Sequence, residues 1–387
     1  MPAAESPVMT KTAYAEIHLP ALRRNYAQAK RLAGSARVWA VVKSDAYGHG
    51  LTRVALALPH ADGFALIQPD DAVTLRHAGI GAPILLLEGA LEEGDIDTAA
   101  QHRLELVLRS EHQLQWLLKK ARPVTVWVKV NTGMNRFGFT PERALAVVRQ
   151  LQATSFCRVA GLMTHFACAD QLGTPLDEPW RRFMQVVEAT GLPFTAANSA
   201  AVLRETRTHG AAVRVGGLLY NNNPFYPDTR LWSEAIEPVM RFAARIVHVD
   251  TLRAGDSIGY GAAFTASHDM RIGIVGAGYG DGYPRAAPSG TPVLVGGQRA
   301  ALVGRVAMNV LAIDLSALPA VQIGDEVTLW GAPGLSCDEI AWCCGTISEE
   351  LQCALTSRVP IRQIVVDSTV PAPSDEQTSP AQCLAHL

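Results

Sequence analysis

An apolar run ends on a lysine at Ala40-Val41-Val42-Lys43, and a glycine-punctuated turn follows, Ser44-Asp45-Ala46-Tyr47-Gly48-His49-Gly50. An amine at a strand end becomes a nucleophile toward carbonyl compounds once desolvation or a nearby cation lowers its pKa. It can then hold a carbonyl as a Schiff base. A bare strand-end lysine more often only reaches into solvent, so the case rests on what accompanies it. Several other strings put polar groups beside apolar runs or glycines. They are Lys129-Val130-Asn131-Thr132-Gly133-Met134-Asn135-Arg136, the stretch from Met163 through His165 to Asp170, Asn198-Ser199, and Arg214-Val215-Gly216-Gly217. Arginine suits bidentate pairing with a carboxylate. Ser199 alone reads as a helix N-cap, although helix N-termini also bind anions.

Such groups act together only if ordered elements bring them together. From Ala36 to about Val215, short β-rich runs fall at 38–42, 63–67, 83–87, 104–108, 124–130, 159–163, 194–197 and 212–215. Most are followed by a helical period, as at 70–77 and 141–152. Apolar strands alternating with helices imply parallel strands covered by helices. Eight such units predict an α/β fold, a TIM-like (β/α)8 barrel over residues 12–238. A doubly wound open sheet is the alternative that counting leaves open. Strand ends would then carry Lys43 and Arg214 to the face where barrel active sites lie. After Pro238 the pattern changes to short alternating runs at 241–249, 270–275, 292–295, 301–315, 326–329 and 361–366. Helical signals there are confined to 338–343 and 349–355. This predicts a mostly β second domain over 239–370. The tail from Pro371 is rich in Pro, Ser and Gln and reads as disordered.

The chain has 387 residues, nearly half of them apolar, enough for two cores. A net charge of −2 gives no electrostatic basis for binding nucleic acid or an acidic membrane surface. No apolar run is long enough to span a bilayer. The start MPAAESPVMT lacks the features of a signal peptide. Seven cysteines without a CxxC pair suggest neither zinc nor a disulfide framework, and reduced thiols in a cytoplasmic protein are expected.

AVVKSDAYGHG resembles the cofactor-lysine motif of alanine racemases, which are fold-type III pyridoxal-phosphate enzymes. The resemblance recurs from about residue 12 to 366. It implies a barrel carrying pyridoxal 5'-phosphate on Lys43 and a β domain that completes the partner subunit's site in a homodimer. Tyr47, Asn198, Ser199, Gly216 and Gly217 then lie at the phosphate, and His165 packs on the cofactor ring. Arg214 faces the pyridine nitrogen. A guanidinium keeps its proton, so that nitrogen would stay unprotonated, which favours racemisation over transamination. Arg136 touches the substrate carboxylate, Met308 offers it a backbone N–H, and Lys129 is carbamylated in some members. Ser257-Ile258-Gly259-Tyr260-Gly261 is similar to the family's Val-Gly-Tyr-Gly string. Racemisation needs a proton carrier on each face of a planar carbon. The resemblance supplies them as Lys43 for the D-isomer and Tyr260, from the partner, for the L-isomer. Gly278-Tyr279-Gly280-Asp281-Gly282-Tyr283-Pro284-Arg285 and Gly304-Arg305-Val306-Ala307-Met308-Asn309 also resemble family strings. They place Tyr279 at the substrate, with Asp170, Arg285 and Arg305 along an access channel. The activity implied is L- and D-alanine interconversion, either making D-alanine as a peptidoglycan precursor or degrading it.

Three positions depart from the family. Asn131 and Asn309 stand where aspartate is usual, and Ser357 where some members carry a tyrosine that narrows the pocket. Those departures raise a second possibility, a racemase of wider scope that accepts serine or other amino acids. A decarboxylase of the same fold type would need a C-terminal Cys-x-x-x-Asp context and a Glu-Pro-Gly-Arg string, and the chain has neither. Single-barrel cofactor-binding relatives lack the second domain and its tyrosine.

Overall fold

The computed structural model describes residues 11–233 and 235–366. Strand β1 (Ala13–His18) leads into a helix, Leu19–Ala33. Eight strands follow: β2 (Arg37–Val41), β3 (Gly63–Leu66), β4 (Ile84–Leu86), β5 (Glu105–Leu108), β6 (Val124–Lys129), β7 (Cys157–Met163), β8 (Phe194–Thr195) and β9 (Ala212–Val215). Each expected run lands on one of them. All neighbouring pairs are parallel. Strand β9 returns to β2, from Arg37↔Ala212 to Ala40↔Val215, so the sheet closes. An open doubly wound sheet is thereby excluded.

The alternation of side chains explains why these strands are apolar throughout. Val38, Ala40, Phe64, Leu66, Ile84, Leu86, Val126 and Val128 pack outward against the helices. Their neighbours Trp39, Val41, Ala65, Leu85, Val107 and Trp127 fill the barrel interior. Both faces are buried, which removes the polar half of the usual strand pattern. The two tryptophans need space opposite them. A Cβ on Gly161 would lie 2.6 Å from Trp127 Cζ3, and one on Gly63 would lie 3.0 Å from Trp39 Cε3.

The second unit is built on β10 (Met240–Leu252), a 13-residue strand. Its companions are β11 (Ser257–Ile258), β12 (Phe264–Thr265), β13 (Met270–Val275), β14 (Pro292–Val295), β15 (Gln298–Val303), β16 (Leu311–Asp314), β17 (Glu326–Trp330) and β18 (Ile361–Ile364). The sheet order is β13-β16-β15-β14-β17-β10-β1-β18, with β13 also pairing β10. The run expected at 301–315 is two strands, β15 and β16, split by a turn that carries Arg305, Met308 and Asn309.

The expected barrel segment 12–238 needs one correction. Strand β1 lies in this second sheet, antiparallel to β10 from Ala13↔Ala244 and parallel to β18 from Ala15↔Ile361. Its short side chains Ala13 and Ala15 are buried in the β-domain core, while Ile17 joins the barrel core. The chain therefore stitches the two units together before the barrel begins. The tail from Pro371, expected to be disordered, lies outside the described residues. No helix among the described residues is long and apolar enough to cross a membrane.

Candidate active site

Lys43 lies one residue beyond β2, and the intervening Val42 N–H still bonds to Ala65 O of β3 at 2.8 Å. The next four residues all have positive φ: Ser44 54°, Asp45 52°, Ala46 54° and Tyr47 56°. This is a left-handed turn made of residues with side chains, at roughly 1–2 kcal/mol of strain each. Its surroundings hold it. The Asp45 carboxylate accepts the Leu51 N–H at 2.6 Å, and Gly48 and Gly50 donate back to Ser44 O and Asp45 O. His49 Nδ1 lies 3.0 Å from Ala46 O and 2.8 Å from Tyr47 O, so that nitrogen carries the proton. Burial pushes the His49 pKa down to about 4, which keeps the ring neutral. The Tyr220 ring sits 4.8 Å from Tyr47 and 4.5 Å from His49, and its hydroxyl donates to Val41 O. The turn thus fixes both Lys43 and Tyr47.

The two residues face a cavity of about 550 Å³ at the C-terminal ends of the barrel strands. Lys129, Arg136, His165, Asp170, Asn198, Ser199, Arg214, Gly216 and Gly217 line it with them. Every expected barrel residue is therefore in one place. Burial, then Arg136, lowers the Lys43 pKa, and this favours the neutral, nucleophilic amine.

Arg214 is buried at the base of the cavity. Nη1 donates to Thr195 Oγ1 at 2.7 Å, and Nη2 donates to Thr164 O at 2.7 Å and Ala196 O at 3.1 Å. Nη2 also lies 3.3 Å from His165 Nδ1. Arginine can only donate, so His165 accepts at Nδ1 and keeps its proton on Nε2. Burial and the cations Arg214, Lys129, Arg136 and Lys43 hold His165 neutral. Burial lowers the guanidinium to about 9, still charged at neutral pH. Nε is the guanidinium nitrogen with no protein acceptor among the described residues. In the same cavity, Ser199 Oγ accepts the N–H groups of Gly216 at 3.0 Å and Leu218 at 3.3 Å. Its own hydroxyl proton stays free for a ligand. Asn198 caps the helix Ser199–Arg204 by accepting the Ala201 N–H.

Lys129 ends β6 and is pushed down to about 8 by burial, then by Arg214 and Arg136. Arg109 stacks on Phe137 at 3.9 Å, and Lys129 Nζ lies 5.5 Å from the same ring. Asn131 closes its loop. Its Oδ1 accepts from Gly133 and Asn135 N–H groups at 3.1 Å, and its Nδ2 donates to Asn135 Oδ1 at 3.0 Å. The oxygen does what an aspartate oxygen would do there, without the charge.

The β-domain residues are elsewhere. Tyr260 is 68% exposed, Met308 52% and Tyr279 38%, and none lines the cavity. They are neighbours of one another. The Tyr279 N–H bonds to Ala307 O and the Gly280 N–H to Met308 O, while a Cβ on Gly261 would lie 3.2 Å from Arg305 Nη1. Thr356 Oγ1 donates to Gly280 O, which brings exposed Ser357 to the same surface. Arg285 and Asn309 are exposed as well. Within one chain, then, the expected site is split in two.

Sequence reasoning missed one wall. Trp342, Ser348 and Glu349 line the cavity from helices Cys337–Cys343 and Ser348–Cys353 of the second domain, and Ile347 from the N-cap of the latter. Those were the two helical signals in that half, and nothing in their spacing said where they dock. The contact is close: a Cβ on Gly48 would lie 2.3 Å from Gln352 O.

The chain matches the family model for the alanine racemase N-terminal domain over residues 17–224 and that for the C-terminal domain over 239–363. An alanine racemase from Laribacter hongkongensis is 46% identical over 363 residues, covering 92% of this chain and 99% of its own. A catabolic alanine racemase from Klebsiella aerogenes is 44% identical, over 91% of this chain and 99% of that one. The crystal structure of a biosynthetic alanine racemase from Pseudomonas aeruginosa has a TM-score of 0.87 at 42% identity, covering 92% of this chain and 99% of that one. With a strand-end lysine at the mouth of such a barrel, the chain is an amino-acid racemase. The likeness runs through both domains at high identity. It belongs to the alanine racemase family.

Proposed function

We propose that the chain interconverts L- and D-alanine as a pyridoxal-phosphate-dependent homodimer, using Lys43 and the Tyr260 of the partner subunit as its two bases. The observation that carries this is the single cavity joining Lys43, Arg136, His165, Ser199 and Arg214. The cavity suits a flat, phosphate-bearing ring. A Cβ on Gly216 would lie 2.3 Å from the Tyr47 hydroxyl, so only glycine leaves that cradle open. Tyr47 is kept protonated by burial and can donate, as can Ser199 and the Gly217 N–H. When bound, pyridoxal 5'-phosphate supplies an electron sink that makes the substrate Cα proton removable.

The protein's own groups direct that proton. Lys43 takes it or returns it on one face, and Tyr260 serves the other. Arg136 and the Met308 N–H orient the substrate carboxylate. His165, held in one tautomer, packs against the ring. Arg214 offers the ring nitrogen a donor and no acceptor. Arg214→Glu should let that nitrogen keep a proton and strengthen the sink. The expected result is racemisation slowed by at least about 100-fold, with one pyruvate released per site as the amino group passes to the cofactor. Racemisation without pyruvate, as in the wild type, would remove Arg214 from this role.

Lys129 is proposed to carry a carbamate. A neutral amine fraction near its pKa of about 8 can attack carbon dioxide, forming the N–C bond and releasing a proton. A cation crowded by Arg214, Arg136 and Arg109 becomes an anion that all three favour. Protein equilibrated with 13C-bicarbonate should show a carbamate resonance that is missing in Lys129→Arg. A spectrum without it in the wild type rejects the modification.

Broader scope rests on Ser357, a short side chain on the exposed β-domain surface where some members carry a tyrosine. Turnover of a panel of enantiopure amino acids decides it, and activity confined to alanine ends it. The six described cysteines are free thiols, which supports a cytoplasmic location.

A further inference from the structure

Glu349 is a carboxyl group among neutral hydrogen-bond donors. A Cβ on Gly217 would lie 3.3 Å from Glu349 Oε1, which puts the carboxyl at the rim of the glycine cradle. It lines the same cavity as Tyr47, Ser199 and Lys43. The groups around it can be named by element. Lys43 and Tyr47 face it from the turn after β2. Cys353 lies on its own helix, and Cys337 and Asp338 on the preceding one. The Asn222 side-chain amide reaches it from the barrel. Asp338 is already engaged, by the Ser348 hydroxyl and by the Asn223 N–H at 3.1 Å. Lys43 is the cation that favours an ionised Glu349 in the free protein.

Once Lys43 holds the cofactor, the carboxyl faces a phosphate. Two anions in one small cradle repel, and burial already makes Glu349 hard to ionise, so the carboxyl takes up the proton. A protonated carboxyl is a donor, and donors are what the remaining phosphate lone pairs accept. Resting on the cofactor reading above, we propose that Glu349 is a neutral carboxylic acid in the loaded enzyme and hydrogen-bonds the phosphate, so that cofactor retention is coupled to one proton. Burial already raises its pKa before any phosphate arrives. The sign follows. The phosphate raises the pKa further, so affinity is full below the pKa of the free protein. It falls as pH rises from there toward the pKa of the loaded form.

The test uses the full chain freed of cofactor and titrated with pyridoxal 5'-phosphate, from about pH 6 to about pH 9. The absorbance band at about 420 nm reports binding. The ratio of dissociation constants, wild type over Glu349→Gln, should rise by about tenfold per pH unit within the coupling window. An amide can donate without titrating, so the variant keeps its affinity at alkaline pH. With pyridoxal, which lacks the phosphate, the ratio should stay flat. A flat ratio with the phosphate ester, or the same rise with pyridoxal, overturns the proposal. Should the variant not fold, calorimetry on the wild type at about pH 8 replaces it, since free phosphate is already dianionic above its second pKa of about 6. Uptake of an extra proton with the phosphate ester over pyridoxal is expected, and equal uptake overturns it. A wild type that never forms a Lys43-dependent band fails earlier, at the cofactor reading itself.

Discussion

Lys43→Ala should abolish racemisation in both directions, a loss of about 10⁴-fold or more, because the proposed reaction makes the residue both the attachment point and one of two bases. The same variant should lose the absorbance band at about 420 nm even when saturated with cofactor. Stability should hardly move. The Lys43 side chain belongs to no core, and the left-handed turn that follows is held by His49, Asp45 and Tyr220 rather than by the amine. A substitution in the turn itself would confuse these effects, since Tyr47 and Lys43 would shift together. Unchanged melting with a lost band separates chemistry from folding. A variant that keeps its band and its turnover would show that the cofactor is held elsewhere, and the proposed reaction would fall with it.

How much of this was legible in the sequence follows from the range of each interaction. The eight barrel strands were readable because parallel strands buried on both faces are continuous apolar runs, and each is hydrogen-bonded to its sequence neighbour. Strand β1 was not. Its six residues read as the start of the barrel segment, yet its partners β10 and β18 lie more than 200 residues away. The left-handed turn left no direct trace, since Ser44-Asp45-Ala46-Tyr47 contains no glycine. Only Gly48 and Gly50 hinted at unusual backbone, and the cause lies in tertiary contacts with Tyr220 and the helix ending at Cys353. Lys43, Arg214 and His165 were found as strand-end residues. Glu349 was passed over, because a glutamate in the first turn of a short helix is ordinarily solvated. Asn131 looked like a lost charge near the site, but its loop bonds survive the exchange intact.

The split of the site between two surfaces leads to the second large effect. Tyr260→Phe should remove one proton carrier and leave the cavity, the lysine and the absorbance band untouched. Removal of the L-isomer proton should slow by about 10²–10⁴-fold, with the reverse direction slowed equally at equilibrium. The stronger test mixes subunits. Tyr260 is 68% exposed and absent from its own chain's cavity, so the proposed site takes Lys43 from one copy and Tyr260 from the other. On this reading a Lys43→Ala homodimer and a Tyr260→Phe homodimer should both be disabled. Dissociated, mixed in equal amounts and reassociated, half of the dimers should be mixed. Each mixed dimer has one site with both substitutions and one with neither. About one quarter of wild-type activity should therefore return, as a closed two-fold pairing requires. No other arrangement gives this value: a site built within one chain would stay inactive at any mixing ratio. Recovery near a quarter, at a sedimentation coefficient matching a dimer, would establish the shared site. Complete absence of recovery with proven subunit exchange would place both bases in one chain and overturn the shared site.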